Sequence, residues 1–109
     1  MPANDPFEVF STGGFTARAW ATPAGMAAAA ATDIAAHVRK LLAAQPQVRM
    51  MFAAAPSQAA MLACLVQEPG IDWRRVVAFH MDEYVGLPAG HPARFGNWLH
   101  RHLWNHVPM

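Results

Sequence analysis

Two adjacent acidic residues, Asp82 and Glu83, stand in the stretch FHMDEYVGLP at residues 79–88 of a chain that is only 14% charged. In extended backbone, neighbouring side chains point to opposite sides, so only one of the two can enter a given site. Apolar neighbours such as Met81 and Tyr84 can shield a carboxylate from water and shift its pKa to a value that suits a general base. The residues alone leave a simpler alternative open, in which both acids are solvated and cap the next turn.

A second candidate group is the hydroxyl of Ser57, in the segment AAAPSQ at residues 53–58. This segment follows a predicted strand and precedes a predicted helix. The first amides of a helix, together with its dipole, suit a phosphate group. Ser57 could also serve only as the cap of that helix, and spacing does not decide between the two roles.

Histidines are concentrated in the last third of the chain, where five of the six are found: His80, His91, His100, His102 and His106. His102 and His106 would lie one turn apart on a helix, which is a spacing that two metal ligands can use. No third ligand is placed by the sequence, so we expect no metal. The histidines could instead lie on a solvent-exposed face of the helix or pack at an interface.

The elements that position these groups alternate along the chain. FTARAW has the period of two of a strand, and Thr22 with Pro23 predicts the start of a long helix that closes before Pro46. VRMMFAAA and RRVVAFH are apolar runs typical of buried strands, and SQAAMLACLVQ between them predicts a helix. HPARFGNWLHRHLWNHV predicts a last helix that begins near Pro92.

This order predicts an α/β fold: a layered parallel sheet with helices on both faces, as in Rossmann-like domains, joined by right-handed crossovers. Three strands and three helices leave the sheet incomplete. We therefore interpret residues 1–14 as an N-terminal lead and residues 15–109 as the N-terminal part of a larger domain. Ligands of such sheets bind beyond the carboxyl ends of the strands, where AAAPSQ and HMDEYVGLP both lie.

Composition narrows the classes of partner. The 109 residues are 54% hydrophobic, and 8 basic against 7 acidic residues give a formal charge of +1, with no basic stripe for nucleic acid. The single cysteine rules out a disulfide within the chain, and no run of about 20 apolar residues predicts a membrane span. With no signal-peptide pattern at the N-terminus, we expect a cytoplasmic protein.

The stretch VVAFHMDEYVGLPAGHPARFGNWLHRHL closely resembles the MDEY motif region of glucosamine-6-phosphate deaminases, also called glucosamine-6-phosphate isomerases. That family shares its fold with 6-phosphogluconolactonases. The resemblance is weak from about residue 15 and good over residues 49–107, and it corresponds to the N-terminal half of a typical member. It implies a sugar phosphate as the small-molecule partner and requires no metal or organic cofactor.

The resemblance assigns Asp82 as the base that moves a proton between C2 and C1 of the opened sugar, after which hydrolysis releases ammonia and a ketose phosphate. It assigns Ala55, Ser57, Gln58 and Glu83 to substrate binding. The family's phosphate loop usually reads like TGSTP or SGGSTP, whereas this chain has AAAPSQ. Ser57 falls on the hydroxyl position, but Pro56 removes an amide and the glycines are lost.

The family's later histidine, acids and basic phosphate ligands belong to the half that this chain lacks, so we expect the chain to be inactive alone. Two alternatives stay open at this point. One is a 6-phosphogluconolactonase-like hydrolase, which the intact MDEY motif makes the less favoured of the two enzymes. The other is a non-catalytic remnant that binds sugar phosphates. The open sheet edge and the aromatic last helix also predict association, for which a homo-oligomer is one form.

Overall fold

A computed structural model describes residues 6–109, and the first five residues of the predicted lead lie outside the described range. The elements in chain order are strands β1 (Glu8–Thr12) and β2 (Phe15–Ala19), helix α1 (Pro23–Ala44), strand β3 (Val48–Phe52), helix α2 (Ala59–Leu65), strand β4 (Val76–His80) and helix α3 (Phe95–His102). Three short 3-10 turns complete the chain, at Pro56–Gln58, Trp73–Arg75 and Trp104–His106.

Helix α1 follows the sequence prediction at both ends. The hydroxyl of Thr22 accepts a hydrogen bond of 3.0 Å from the amide of Gly25, and Pro23 occupies the first turn, where its missing N–H costs nothing. The helix ends before Pro46, as proline chemistry requires. Alanine-rich composition favours this helix throughout its 22 residues.

Arg75, in the turn before β4, caps the C-terminal end of α1. Its guanidinium donates hydrogen bonds to the carbonyls of Leu42 at 2.7 Å, Gln45 at 2.6 Å and Pro46 at 2.9 Å. The last carbonyls of a helix have no partner within the helix, and a cation is favoured there by the helix dipole. Arg75 therefore fixes the end of α1 to the turn that leads into β4.

The strand at Phe15–Ala19 is confirmed, but its predicted place in a parallel sheet is wrong. β2 pairs antiparallel with β1, a strand that the sequence analysis did not assign within residues 1–14. Gly13 and Gly14 connect them with φ of 53° and 80°, the left-handed conformations that a two-residue hairpin turn needs. The hairpin is therefore a separate two-stranded sheet.

β3 and β4 form the second sheet and are parallel, as predicted, with Val48 opposite Val76 and Phe52 opposite His80. Burial alternates along both strands, so one face is covered by the helices. The other face exposes Met51, Val77 and Phe79. The prediction of helices on both faces is therefore not confirmed: within residues 6–109 no helix covers that second face, although most of its side chains are apolar and Arg49 is its one charged residue.

One cluster of buried side chains ties the three helices to both parallel strands. Leu62 and Leu65 of α2 and Leu99 of α3 are completely buried in it, and Phe52 and Val76 supply the sheet side. Burial of large aliphatic side chains is worth about 1.5–3 kcal/mol each. The cluster therefore fixes α2 and α3 against the two strands from which the candidate loops emerge.

The last helix is shorter than predicted, because α3 begins at Phe95 and ends at His102. Leu103 leaves the helical region with φ −136° and ψ −69°, and a 3-10 turn follows. The segment after Pro92 turns first, with the amide of Arg94 bonded to the carbonyl of His91 at 3.1 Å. Among the described helices, none has the length and apolar character needed to cross a membrane.

Candidate functional site

The two candidate loops leave the parallel sheet at the same edge. The ladder between β3 and β4 ends with Phe52 opposite His80, and the amide of Met81 adds one more bond of 2.9 Å to the carbonyl of Phe52. AAAPSQ continues from the first strand and MDEYVGLP from the second. The prediction that these loops are neighbours at the carboxyl edge is confirmed.

The two acids of MDEY differ in environment, as expected for neighbours in extended backbone. Asp82 is exposed and follows directly after the last ladder bond. The side chain of Glu83 is only 19% exposed and faces the start of α3. Asp82 therefore lies at the surface of the sheet edge, whereas the side chain of Glu83 contacts the start of α3.

Three backbone amides donate to the carboxylate of Glu83. Oε1 accepts from Phe95 at 2.9 Å and from Tyr84 at 3.0 Å, and Oε2 accepts from Gly96 at 2.9 Å. Arg94 Nε lies 3.5 Å and His80 Nε2 lies 3.6 Å from Oε2. Glu83 thus satisfies the first amides of α3, which have no partners inside the helix.

These contacts stabilise the charged form of the carboxylate. The hydrogen bond from Gly96, followed by those from Phe95, Tyr84 and Arg94, outweighs desolvation and lowers the pKa of Glu83 from 4.5 to about 2. The negative end of the side chain also lies where the dipole of α3 favours it. The prediction that Glu83 contacts substrate stays a prediction, because the described contacts of this carboxylate are with the protein.

Ser57 and Gln58 belong to a 3-10 turn rather than to the first turn of a helix, and Ala55 directly precedes that turn. Ala55 is extended, and its carbonyl accepts from the amide of Gln58 at 2.9 Å. α2 begins only at Ala59, and neither the turn nor α2 has a side-chain cap. Ser57 therefore does not cap the helix, and its exposed hydroxyl lies with Gln58 beside a cavity of about 310 Å³ against α1.

Part of the chain is similar in sequence to known glucosamine-6-phosphate deaminases. The chain is 46% identical over 43 residues to a glucosamine-6-phosphate deaminase of Porphyromonas gingivalis, and 46% identical over 39 residues to that of Aliivibrio fischeri. The resemblance to glucosamine-6-phosphate deaminases is confirmed. The matches cover 39% and 36% of this chain but only 16% and 15% of the deaminases, so the chain corresponds to a small part of each.

A solved structure supports the fold. The crystal structure of a candidate 6-phosphogluconolactonase from Neisseria gonorrhoeae matches 75% of this chain and 35% of its own with a TM-score of 0.69. Its sequence identity of 21% limits the likeness to the fold. No model of a protein family matches the chain.

Three residues that shape the MDEY loop were not predicted from the sequence: Arg94, Gly96 and Asn97. Asn97 Nδ2 donates to the carbonyls of Ala89 at 2.7 Å and His91 at 3.0 Å, which fixes the far end of the loop. A Cβ at position 96 would lie 3.3 Å from Oε2 of Glu83, so glycine allows the close approach. A glycine inside a predicted helix, where it lowers helix stability, was the signal that could have indicated this contact.

Arg94, Gly96 and Asn97 also border a cavity of about 650 Å³ between α3 and β4, which His80, His100 and Trp104 help to line. His102 and His106, whose spacing two metal ligands could use, each contact another part of the protein. His102 stacks on Trp98 with 4.0 Å between ring centroids, and His106 bonds to the carbonyl of Arg101. Within residues 6–109, no three His, Cys, Asp or Glu side chains are grouped as metal ligands would be.

Proposed function

We propose that this chain carries the MDEY half of the active site of an aldose-ketose isomerase and deaminase that acts on an amino sugar phosphate. The observation that carries the proposal is the common edge from which AAAPSQ and MDEYVGLP leave two adjacent parallel strands. The identity to glucosamine-6-phosphate deaminases supports the reaction class. In this proposal the rest of the site comes from outside the 109 residues, and the chain alone is inactive.

Asp82 is proposed as the base. A C–H bond beside a carbonyl or an iminium is weakly acidic, and a positioned carboxylate can take this proton from C2 and return it to C1. The exposed position of Asp82 at the sheet edge supports the role, since a substrate can reach it. Hydrolysis of the resulting imine releases ammonia and the ketose phosphate.

Ala55, Ser57 and Gln58 are proposed to contact the phosphate. Pro56 has no N–H, and the amide of Gln58 already donates to Ala55. The Ser57 hydroxyl is therefore the group to which we assign the main contact. Glu83 was assigned to substrate binding as well, but its bonds to α3 support a role in holding the loop.

The proposal extends to the setting of the domain. We propose that residues 15–109 are the N-terminal part of a doubly covered α/β domain, and that the lead of residues 1–14 joins this domain through the pairing of β1 with β2. The apolar face with Met51, Val77 and Phe79 supports this, because such a face is stable when another layer or another copy covers it. A cytoplasmic location fits an enzyme of sugar phosphates.

Hydrolysis of a phosphorylated sugar lactone is the second candidate, since the solved protein with this fold is described as a candidate 6-phosphogluconolactonase. The identity around 46% to deaminases favours the first. A non-catalytic sugar-phosphate-binding protein is the third outcome, supported by the loss of glycine from AAAPSQ.

The deciding experiment measures ammonia release from glucosamine 6-phosphate by the full-length protein that contains this chain, with 6-phosphogluconolactone as the competing substrate. Asp82→Asn should lower kcat at least about 100-fold, the usual contribution of a general base. Asp72→Asn is the control, because Asp72 is an exposed acid in the turn before β4. Full activity of Asp82→Asn, or lactone hydrolysis without ammonia release, would sink the proposal.

A further inference from the structure

The loop at residues 81–94 connects β4 to α3 and is anchored at both ends. At its start, Glu83 accepts the amides of Phe95 and Gly96 at 2.9 Å each, across 12 and 13 positions of sequence. Toward its end, Asn97 holds the carbonyls of Ala89 and His91. Each anchor joins the loop to the first turns of α3.

The backbone of Glu83 is continuous with that of Asp82, so whatever fixes Glu83 limits where Asp82 can lie. Asp82 is exposed, whereas Glu83 is bonded to a helix whose Leu99 is completely buried in the core. The chain is thus held on one side of Asp82 by the bond from Met81 to Phe52 and on the other by Glu83.

We propose that Glu83 is a positioning residue, which holds the Asp82 carboxylate at the carboxyl edge of the sheet by tying the MDEY loop to the amino end of α3. The catalytic part of this inference rests on the proposed function, whereas the structural part does not. Gly96 is the other half of the contact, because its missing Cβ lets the carboxylate reach the amides.

Charge complementarity supports the same role. Arg94, on the helix side, and His80, on the strand side, approach the same oxygen of Glu83 at 3.5 Å and 3.6 Å. The carboxylate therefore lies between the end of β4 and the start of α3, with a hydrogen bond from Arg94 and the imidazole of His80 close by. The Glu83 carboxylate thus connects the MDEY loop to the start of α3 beside the end of β4. Such contacts fix the position of the neighbouring residue, Asp82.

A residue that only stabilises the fold would behave differently. Its loss would lower stability, yet each folded molecule would keep the normal kcat. Loss of a positioning residue lowers kcat per folded molecule, because displacement of about 1 Å at the reacting group can cost on the order of 100-fold. The affinity for substrate, which other groups provide, would stay the same.

Glu68 offers a matched control. Its side chain is 21% exposed, against 19% for Glu83, and it also pairs with an arginine, at 3.7 Å from Arg39. It lies after α2, outside the MDEY loop. Glu68→Ala therefore reports the cost of removing a comparable carboxylate that does not adjoin Asp82.

The first measurement is amide hydrogen exchange on the 109-residue chain. Glu83→Ala should accelerate exchange at Phe95 and Gly96 by about tenfold, the size expected when a helix loses its cap, and Glu83→Gln should give a smaller increase because one acceptor oxygen remains. Glu68→Ala should leave both amides unchanged. Unchanged exchange in Glu83→Ala overturns the inference without reference to any activity.

The second measurement compares kcat and KM of the full-length protein with substitutions Glu83→Ala, Glu83→Gln, Glu68→Ala and Asp82→Asn. We expect a fall of about 100-fold in kcat for Glu83→Ala at unchanged KM, with partial recovery in Glu83→Gln. If Asp82→Asn abolishes turnover but Glu83→Ala keeps kcat, the positioning role is overturned. If Asp82→Asn itself keeps activity, the proposed function is lost, and hydrogen exchange alone decides the role of Glu83.

Discussion

Replacement of Arg75 by alanine tests how the strand that leads to the candidate site is fixed to α1. The guanidinium of Arg75 donates to the carbonyls of Leu42, Gln45 and Pro46 between 2.6 and 2.9 Å. Hydrogen bonds from a charged donor contribute about 1.5–3 kcal/mol each when both partners are removed from water. Three such bonds would set an upper bound of several kcal/mol on the effect.

Solvent exposure reduces that bound. The bonds to Gln45 and Pro46 are exposed, and water can replace the guanidinium there at little cost. The bond to Leu42 is partly buried and loses its donor without full replacement. We therefore expect Arg75→Ala to lower the free energy of unfolding by about 2 kcal/mol, and Arg75→Lys by about half as much, since an ammonium lacks the planar fork.

Urea denaturation followed by circular dichroism measures this difference, with Arg74→Ala as the matched control. Arg74 is an exposed neighbour in the same turn, and its replacement should change stability by less than about 0.5 kcal/mol. Equal losses for the two alanine variants, or a loss below about 0.5 kcal/mol for Arg75→Ala, would refute the reasoning.

Three further predictions concern single side chains. Hydrogen bonds from α3, above all from Gly96, lower the pKa of Glu83 to about 2. The stabilisation of the fold by the Glu83 carboxylate is therefore complete above pH 4.5 and is lost as the pH falls through 2. Acid unfolding of Glu83→Gln should lack this pH-dependent loss of stability. Gly14→Ala should cost about 1 kcal/mol in thermal unfolding because φ is 80°, whereas Gly90→Ala, in open space, should be neutral. Ser57→Ala should raise KM for the sugar phosphate by about two- to tenfold with kcat retained; an unchanged KM contradicts the phosphate contact.

The parts of the fold that sequence predicted depend on local chemistry. Thr22, Pro23 and Pro46 fix the ends of α1 because capping and the missing proline amide act within one turn. The two apolar strands with a helix between them led to a parallel pair, since such crossovers leave few alternatives. That pairing was enough to bring both candidate loops to one edge.

Contacts that depend on tertiary geometry were not predictable in the same way. Alternation in Phe15–Ala19 indicates a strand but names no partner, and β2 paired with a strand of the lead instead of the parallel sheet. The bond from Gly96 to Glu83 depends on the path of the loop between them. No spacing rule places a side chain against an amide across such a loop.

Parallel pairing of β3 with β4 also determines when, during folding, the two loops meet. Val48 and Val76 are distant in sequence, so their pairing costs the conformational entropy of closing the whole crossover. Helix α1 and the hairpin form instead between residues that are close in sequence. We expect the local elements to form on the microsecond scale and the parallel pair to follow. AAAPSQ and MDEYVGLP are therefore expected to meet only late in folding, once β3 and β4 pair.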